Sequence, residues 1–343
     1  MSASDARTKG PDWGWAIGRV QIDGPLVLGP MAGYTSPALR VLCKRAGAHL
    51  VYSEMVSAQG LWHRNRKTRA LLQTLPQEHP VAVQIFGGEP EMMAHAVPYV
   101  EEHGADIIDI NMGCPVPKVI RSEGGAALMH EPERAVDVAQ AVAERATVPV
   151  TCKIRAGVRR DDDGYLDMAV RLQAVGVAAI AVHGRTVGQG FRGEADHTHT
   201  KRLVQALDIP VIASGDVFTP TMPLAILQDT GCAAVMIARG AAGRPWVFTQ
   251  AAAVLAGLDT CPPPSPGLRL GIALCQAQMM ALSIGHEQAV HQMRGHMAWY
   301  TKGMPGGKRL RAALNRVQSL GEMAELMGEY MSYSSAAGSP QLG

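Results

Sequence analysis

Eight short apolar runs, most of them followed by a stretch of helical character, constrain this chain more than any other feature. They are LVLGPM (26–31), LVYSEM (50–55), VAVQIF (81–86), DIIDIN (106–111), PVTCKI (149–154), AIAVHG (179–184), PVIASG (210–215) and AVMIAR (234–239). The runs are near-continuous rather than alternating, the pattern of parallel strands buried on both faces. Helical periodicity lies between most of them, over 36–46, 89–102, 132–146, 164–175 and 219–229, and Ser36 followed by Pro37 reads as an N-cap and N1 pair. Eight βα units in about 220 residues predict an α/β fold, a (β/α)8 TIM barrel. A doubly wound sheet is the competing arrangement, but its GxGxxG signature is absent after the first run.

The barrel is expected over 18–258. CPPPSPG (261–267) is a stiff break, and beyond it, over 268–330, helical periodicity continues without a convincing strand. This stretch reads as a small C-terminal helical domain, and 331–343 as a disordered tail. The formal net charge is only +2, so bulk charge announces no nucleic-acid partner and local charge has to be inspected instead. No apolar run reaches the roughly 18 residues that span a bilayer, and MSASDARTKGPDWGW lacks the apolar core of a secretory signal. The six cysteines, at 43, 114, 152, 232, 261 and 275, form no CxxC pair. Free thiols in a reducing cytoplasm are the expectation, with no membrane, no metal site and no obligate protein partner implied.

In such a barrel the chemistry sits at the carboxyl ends of the strands. Those ends carry Pro30, Met31 and Ala32, then Glu54, Gln84, Asn111 to Cys114, Lys153, His183 with Arg185, Ser214 to Asp216, and Arg239. Strands becoming polar where they meet water explains one or two such residues. It explains poorly a Gln, an Asn, a Lys and a His that each end an apolar strand, so a shared site is expected. The loops SGDVFTP and ARGAAGRPW after the last two strands are rich in small residues and suit an anion such as phosphate, although glycines also serve plain turns. Singly, Lys153 could be paired to a rim carboxylate and His183 could be a satisfied core histidine.

Taken together, GPMAGYTSPALRVLCKRAGAHLVYSEMVSAQGL, DIIDINMGCPVPKVIRSEGGAALM, CKIRAGV, VHGRT and MIARGAAGRPWVF resemble the tRNA-dihydrouridine synthases, and the bacterial B-type branch above all. HMAWYTKGMPGGKRLRAALNRVQSL is similar to the same branch, so the resemblance runs from about residue 18 to about 320. It implies an FMN-binding barrel followed by a helical tRNA-binding domain. The implied activity is reduction of particular tRNA uridines to 5,6-dihydrouridine, with electrons from NADPH, or NADH. By motif, FMN would contact Pro30, Met31, Ala32 and Gln84, with Lys153 and His183 near the flavin. Ser214, Gly215, Asp216, Ala238 and Arg239 would hold its phosphate end. Cys114 matches the family's proton donor, and Asn111 and Arg185 match positions facing the uracil. The chain departs from the family at Ser214, where Asn is usual, and at Ala238, where Gly is usual.

The chemistry gives the cysteine a reason. The uracil C5=C6 bond is polarised by the C4 carbonyl, so hydride adds at C6 and a proton must reach C5 from an acid on the other face. A free carboxyl group is mostly ionised at neutral pH, whereas a thiol with an ordinary pKa of about 8.5 keeps its proton and yields it readily. On this reading Gly113 permits the turn that presents Cys114, and Pro115 limits the loop's freedom. The bland alternative is a small buried hydrophobe, which is the reading for Cys43, Cys152, Cys232 and Cys275.

For RNA, Arg294, Lys302, Lys308, Arg309, Arg311 and Arg316 occupy a window without Asp or Glu, and RNRKTR (64–69) offers a second basic patch. Trp299 and Tyr300 fit either base stacking or helical-core packing. A barrel acting on free pyrimidines would not need the basic helical segment, and an RNA-binding protein without catalysis would not need Cys114, Lys153 and His183 together.

Overall fold

The computed structural model describes residues 13–336. All eight apolar runs are strands of one parallel sheet: β3 (Leu26–Leu28), β4 (Leu50–Tyr52), β6 (Val81–Phe86), β7 (Ile107–Asn111), β8 (Val150–Arg155), β9 (Ala179–His183), β10 (Val211–Ser214) and β11 (Ala234–Ile237). Their order is β4-β3-β11-β10-β9-β8-β7-β6, and β4 also pairs with β6, so the ring closes. Closure excludes the doubly wound sheet. A two-residue strand, β5 (Val56–Ser57), resumes the second run after a break at Ser53–Met55 and pairs with the end of β6. At that break the Ser53 hydroxyl takes over as acceptor for the Gln84 backbone N–H at 3.0 Å.

The barrel interior is filled by modest side chains, among them Val27, Ala82, Ala179, Ala181, Ile212 and Ala234. Its amino end is plugged by an antiparallel hairpin, β1 (Trp15–Ile17) and β2 (Val20–Ile22), whose Ile17 and Ile22 join that interior cluster. The hairpin begins before residue 18, the boundary expected from sequence. Three-residue strands are too short to show a period.

The five expected barrel helices are α1 (Pro37–Arg45), α4 (Pro90–Glu102), α6 (Pro132–Arg145), α7 (Gly164–Ala174) and α9 (Met222–Thr230). Five more were not legible: α2 (Ala58–Trp62), α3 (Arg66–Ala70), α5 (Pro117–Ile120), α8 (Thr198–Ala206) and α10 (Val247–Leu255). Ser36 stands before α1, but its hydroxyl is buried without a partner and caps nothing, so the start of the helix rests on Pro37. Beneath α1, Arg40 is buried against Glu78, and its guanidinium also donates to the Thr35 and Gln73 carbonyls at 2.7 Å each.

Beyond the barrel come α11 (Pro266–Ile284), α12 (His286–Tyr300), α13 (Gly307–Leu314) and α14 (Leu320–Ala336). The proline-rich break is shorter than expected. Ser265 accepts a bond from the Leu268 N–H and helix α11 starts at Pro266. The tail is also corrected: α14 continues to Ala336, and the rest of the expected tail lies outside the described residues. Among the described residues α11 is the one helix long and apolar enough by composition to cross a membrane, which the run-length reading did not flag. Here Leu270, Ala273, Ala277 and Met280 of α11 build a core with α12, α14 and, from the barrel, Ala38 and Trp246.

Candidate active site

The carboxyl ends of the strands surround one cavity of about 400 Å³. Every residue expected to hold cofactor lines it: Pro30, Met31 and Ala32 after β3, Gln84 on β6, Lys153 on β8, His183 on β9, Ser214, Gly215 and Asp216 after β10, and Ala238 and Arg239 after β11. Asn111 and Cys114 line it too. In the ring, β7 stands opposite β11, so the Cys114 loop and the Ala238–Arg239 loop face each other across the barrel.

The Cys114 loop is held from below and from the side. Asn111 Oδ1 accepts the backbone N–H groups of Gly113 at 3.1 Å and Cys114 at 2.9 Å. Arg155, which sequence reasoning did not nominate, donates from Nε to the Gly113 carbonyl at 2.7 Å and from Nη1 to Thr186 and Gly190. An arginine directly after the apolar PVTCKI run was the signal available. Gly113 itself is outside the left-handed region, contrary to the turn role expected of it. The glycine that the loop requires is Gly125, at φ +59°, where an added Cβ would lie 2.7 Å from the Cys114 carbonyl oxygen.

The Lys153 ammonium makes no ion pair or hydrogen bond among the described residues, so the rim salt bridge is not found there. Burial, with Arg155 nearby, lowers its pKa to about 8 against the opposing pull of Asp109 and Cys114. His183 is driven to about 2, first by burial and then by Lys153, Arg155, Arg185 and Arg239, and so stays neutral. Its Nδ1 accepts the Arg185 N–H at 3.2 Å, which leaves Nε2 as the donor.

Asp216 is turned into the wall. Burial acts to raise its pKa, but Arg185, the Ala195 N–H and Arg239 outweigh it and hold the carboxyl below its ordinary range. Arg185 is the clearest displacement from expectation. It is 3% exposed and paired to Asp216 at 2.6 and 2.8 Å, it donates to the Arg192 and Gly193 carbonyls, and it does not line the cavity. Arg239 keeps one contact to Asp216 at 3.1 Å and lies between the rings of Phe191 and Phe218, at 5.1 and 5.3 Å from their centroids. Those exposed aromatic residues at the rim were not singled out either.

Below the cavity floor, Gln84 and Asn111 connect to a buried acid. Asn111 Nδ2 donates to Gln84 Oε1 at 2.8 Å, and Gln84 Nε2 donates to Asp109 Oδ2 at 2.7 Å. Thr151 completes the set, donating to Asp109 Oδ1 at 2.6 Å. Burial pushes the Asp109 carboxyl up to about 7, against Thr151, Gln84 and Lys153.

The helical layer reaches the cavity through Trp299, which lines it and donates to the Tyr34 hydroxyl at 3.0 Å. His296 contacts the Gly33 carbonyl at 3.0 Å in the same loop that carries Pro30 to Ala32. Tyr300 is a core residue bonded to Gln276. Of the basic residues, Arg294 is spent on Val317 and Gln318, and Arg311 on Thr301 at 3.2 Å. Lys302, Lys308, Arg309 and Arg316 are exposed. In the second patch Asn65 caps α3, and Arg69 lies 5.2 Å from the Tyr99 ring centroid.

Residues 27–334 match the model of the family described as Dihydrouridine synthase (Dus). This chain belongs to the dihydrouridine synthase family. It is similar to the tRNA-dihydrouridine synthase B of Xanthomonas axonopodis pv. citri, 38% identical over 92% of this chain and 95% of the relative. The protein of the same name from Pseudomonas aeruginosa is 39% identical over 88% and 91%. Among solved structures the fold is shared with histamine dehydrogenase from Rhizobium sp. 4-9, at a TM-score of 0.58 and 11% identity. That alignment spans 94% of this chain and 64% of the dehydrogenase. This dihydrouridine synthase is a flavin-dependent oxidoreductase.

The site fits a flavin mononucleotide on its own chemistry. Lys153 offers an ammonium with no partner among the described residues, Arg239 stands at the loops suited to phosphate, and the one carboxylate in the lining, Asp216, is already neutralised. Pro30, Met31, Ala32, Gln84, Lys153 and His183 would hold the ring. Serine at 214 and alanine at 238 are small enough to leave the cavity open there.

Proposed function

We propose that this enzyme reduces particular uridines of tRNA to 5,6-dihydrouridine, with FMN as cofactor and NADPH, or NADH, as electron donor. The observation that carries the reading is the convergence on one cavity of Cys114 with every residue suited to the flavin. Bound FMN supplies the hydride that adds to uracil C6. The chain's own task is to bring a proton to C5 and to hold the base while that happens.

Cys114 supplies the proton. Arg155 and Asn111 fix its backbone, so the thiol needs little reorganisation to meet C5. Lys153 and Arg155 line the same cavity as Cys114, so positive charge borders the place where the proton is given up. Neutral His183, with a free ring N–H, and cationic Lys153 offer donors to the charge that accumulates on a reduced ring. Asn111 faces the uracil from the same floor. Arg185 acts behind the wall, anchoring Asp216 and the 192–193 loop. Lys302, Lys308 and Arg309 meet the phosphate backbone, while Arg294 and Arg311 keep the helical layer in shape. The target base leaves its stack to enter the cavity beside Trp299.

The test is Cys114→Ala. The variant is expected to bind FMN and tRNA normally and to slow reoxidation of the reduced enzyme by unmodified tRNA by about 10²-fold or more, the scale of a lost general acid. Unchanged single-turnover reoxidation would remove the proton-donor role.

A further inference from the structure

Asp109 sits mid-strand in β7, two positions before Asn111, so both side chains project into the barrel. It is 0% exposed and makes no ion pair among the described residues. A carboxylate at that depth is costly unless its lone pairs are used, and Thr151 and Gln84 use them. The consequence lies in the direction of the bonds. Because Asp109 accepts, Gln84 turns its amide nitrogen down and its oxygen toward Asn111. Asn111 then gives its N–H to Gln84, and its oxygen is left for the N–H groups of Gly113 and Cys114. Reversing either amide would set donor against donor.

We propose that Asp109 is the positioning residue of the Cys114 loop: through Gln84 and Asn111 it sets the amide polarity that fixes the backbone of residues 113 and 114 under the substrate. The proposal rests on the reading of Cys114 as proton donor only for its effect on turnover, not for its effect on the loop. It assigns Asp109 no contact with substrate or flavin. It also separates polarity from charge. Asparagine at 109 keeps an acceptor toward Gln84 and can donate to the Thr151 oxygen, so the relay survives without the negative charge. Leucine, branched at the same carbon but without donor or acceptor, abolishes it.

The experiment compares Asp109→Asn and Asp109→Leu. In ligand-free protein, NMR reads hydrogen exchange at the Gly113 and Cys114 amides. Exchange is expected to accelerate about tenfold or more in the leucine variant, the scale of one buried hydrogen bond left unmade, and to stay within about threefold of wild type in the asparagine variant. In the holoenzyme, tRNA-driven reoxidation is expected to slow about tenfold in the leucine variant alone. Gln84→Met cuts the middle link while keeping Asp109, and covers the case in which Asp109→Leu does not fold. It is expected to accelerate the same two amides. Equal behaviour of the asparagine and leucine variants, or unmoved exchange in Gln84→Met, overturns the proposal. The exchange measurement involves neither tRNA nor flavin. A wild-type enzyme that fails to form dihydrouridine would therefore sink the functional reading and leave the positioning role standing on exchange alone.

Discussion

Gly125→Ala strikes the Cys114 loop without touching the sulfur. The residue sits at φ +59°, where an alanine costs about 1–2 kcal/mol on backbone grounds alone. Its new Cβ would stand 2.6 Å from Val119 Cγ1 and 2.7 Å from the Cys114 carbonyl oxygen, the atom that also accepts the Ala126 N–H at 3.0 Å. Restoring ordinary contact requires a shift of about 0.5 Å or more, and part of it must fall on the backbone of Cys114. Since a misplacement of about 1 Å at a reacting group costs on the order of 10²-fold, a loss of about tenfold in tRNA-driven flavin reoxidation is expected. Thermal unfolding should report a stability loss of about 1–3 kcal/mol, and FMN should remain bound. Gly113→Ala is the control. Its Cβ would meet Arg155 Cγ at 3.3 Å and backbone no closer than 3.5 Å, so activity within about threefold of wild type is expected. If Gly125→Ala turns over normally, or Gly113→Ala is the slower of the two, the account of how the thiol is placed is wrong.

Lys153 gives a pH signature in ligand-free protein. Its pKa is lowered by burial from 10.5 to about 8, so over that interval the unfolded chain holds a proton the folded one has released, and stability rises with pH. The melting temperature of wild type relative to Lys153→Met should therefore climb between about pH 7.5 and about pH 10, and a constant difference would contradict the burial of the ammonium. Lys308→Glu with Arg309→Glu should weaken tRNA binding about tenfold or more at about 0.1 M salt and flatten its salt dependence, with NADPH-driven flavin reduction intact. Equal affinity in filter binding would discount that face. Arg311→Glu should instead lower the melting temperature, because the guanidinium holds Thr301. Arg40→Met leaves Glu78 buried without its cation and should cost about 3–5 kcal/mol in urea unfolding; a loss below about 1 kcal/mol would contradict the pair's burial.

The barrel was legible because strands buried on both faces must be apolar throughout, and that leaves eight conspicuous runs. The polar residues that end those runs converge for the same reason, since any polar group in such a strand has to find the rim. Sequence could not show which way a rim side chain turns. Arg185 carries charge at a strand end just as Lys153 does, yet one is consumed by Asp216 and the other faces the cavity. Arg294 and Arg311 look the same as Lys308 and Arg309 in a string of letters, but carbonyl groups brought close by folding capture the first two. Asp109 was readable and went unread. An acid at the midpoint of IIDIN, in phase with Asn111, cannot face a helix without cost, and strand alternation places both on one side.

The hairpin closes the amino end of the barrel, and Trp299 borders the cavity at the opposite end. If a nicotinamide donor and tRNA both reach one bound flavin, as proposed above, they cannot occupy that cavity side by side. Turnover should then alternate between two visitors, giving parallel double-reciprocal plots and, at high polynucleotide concentration, inhibition that extra dinucleotide relieves.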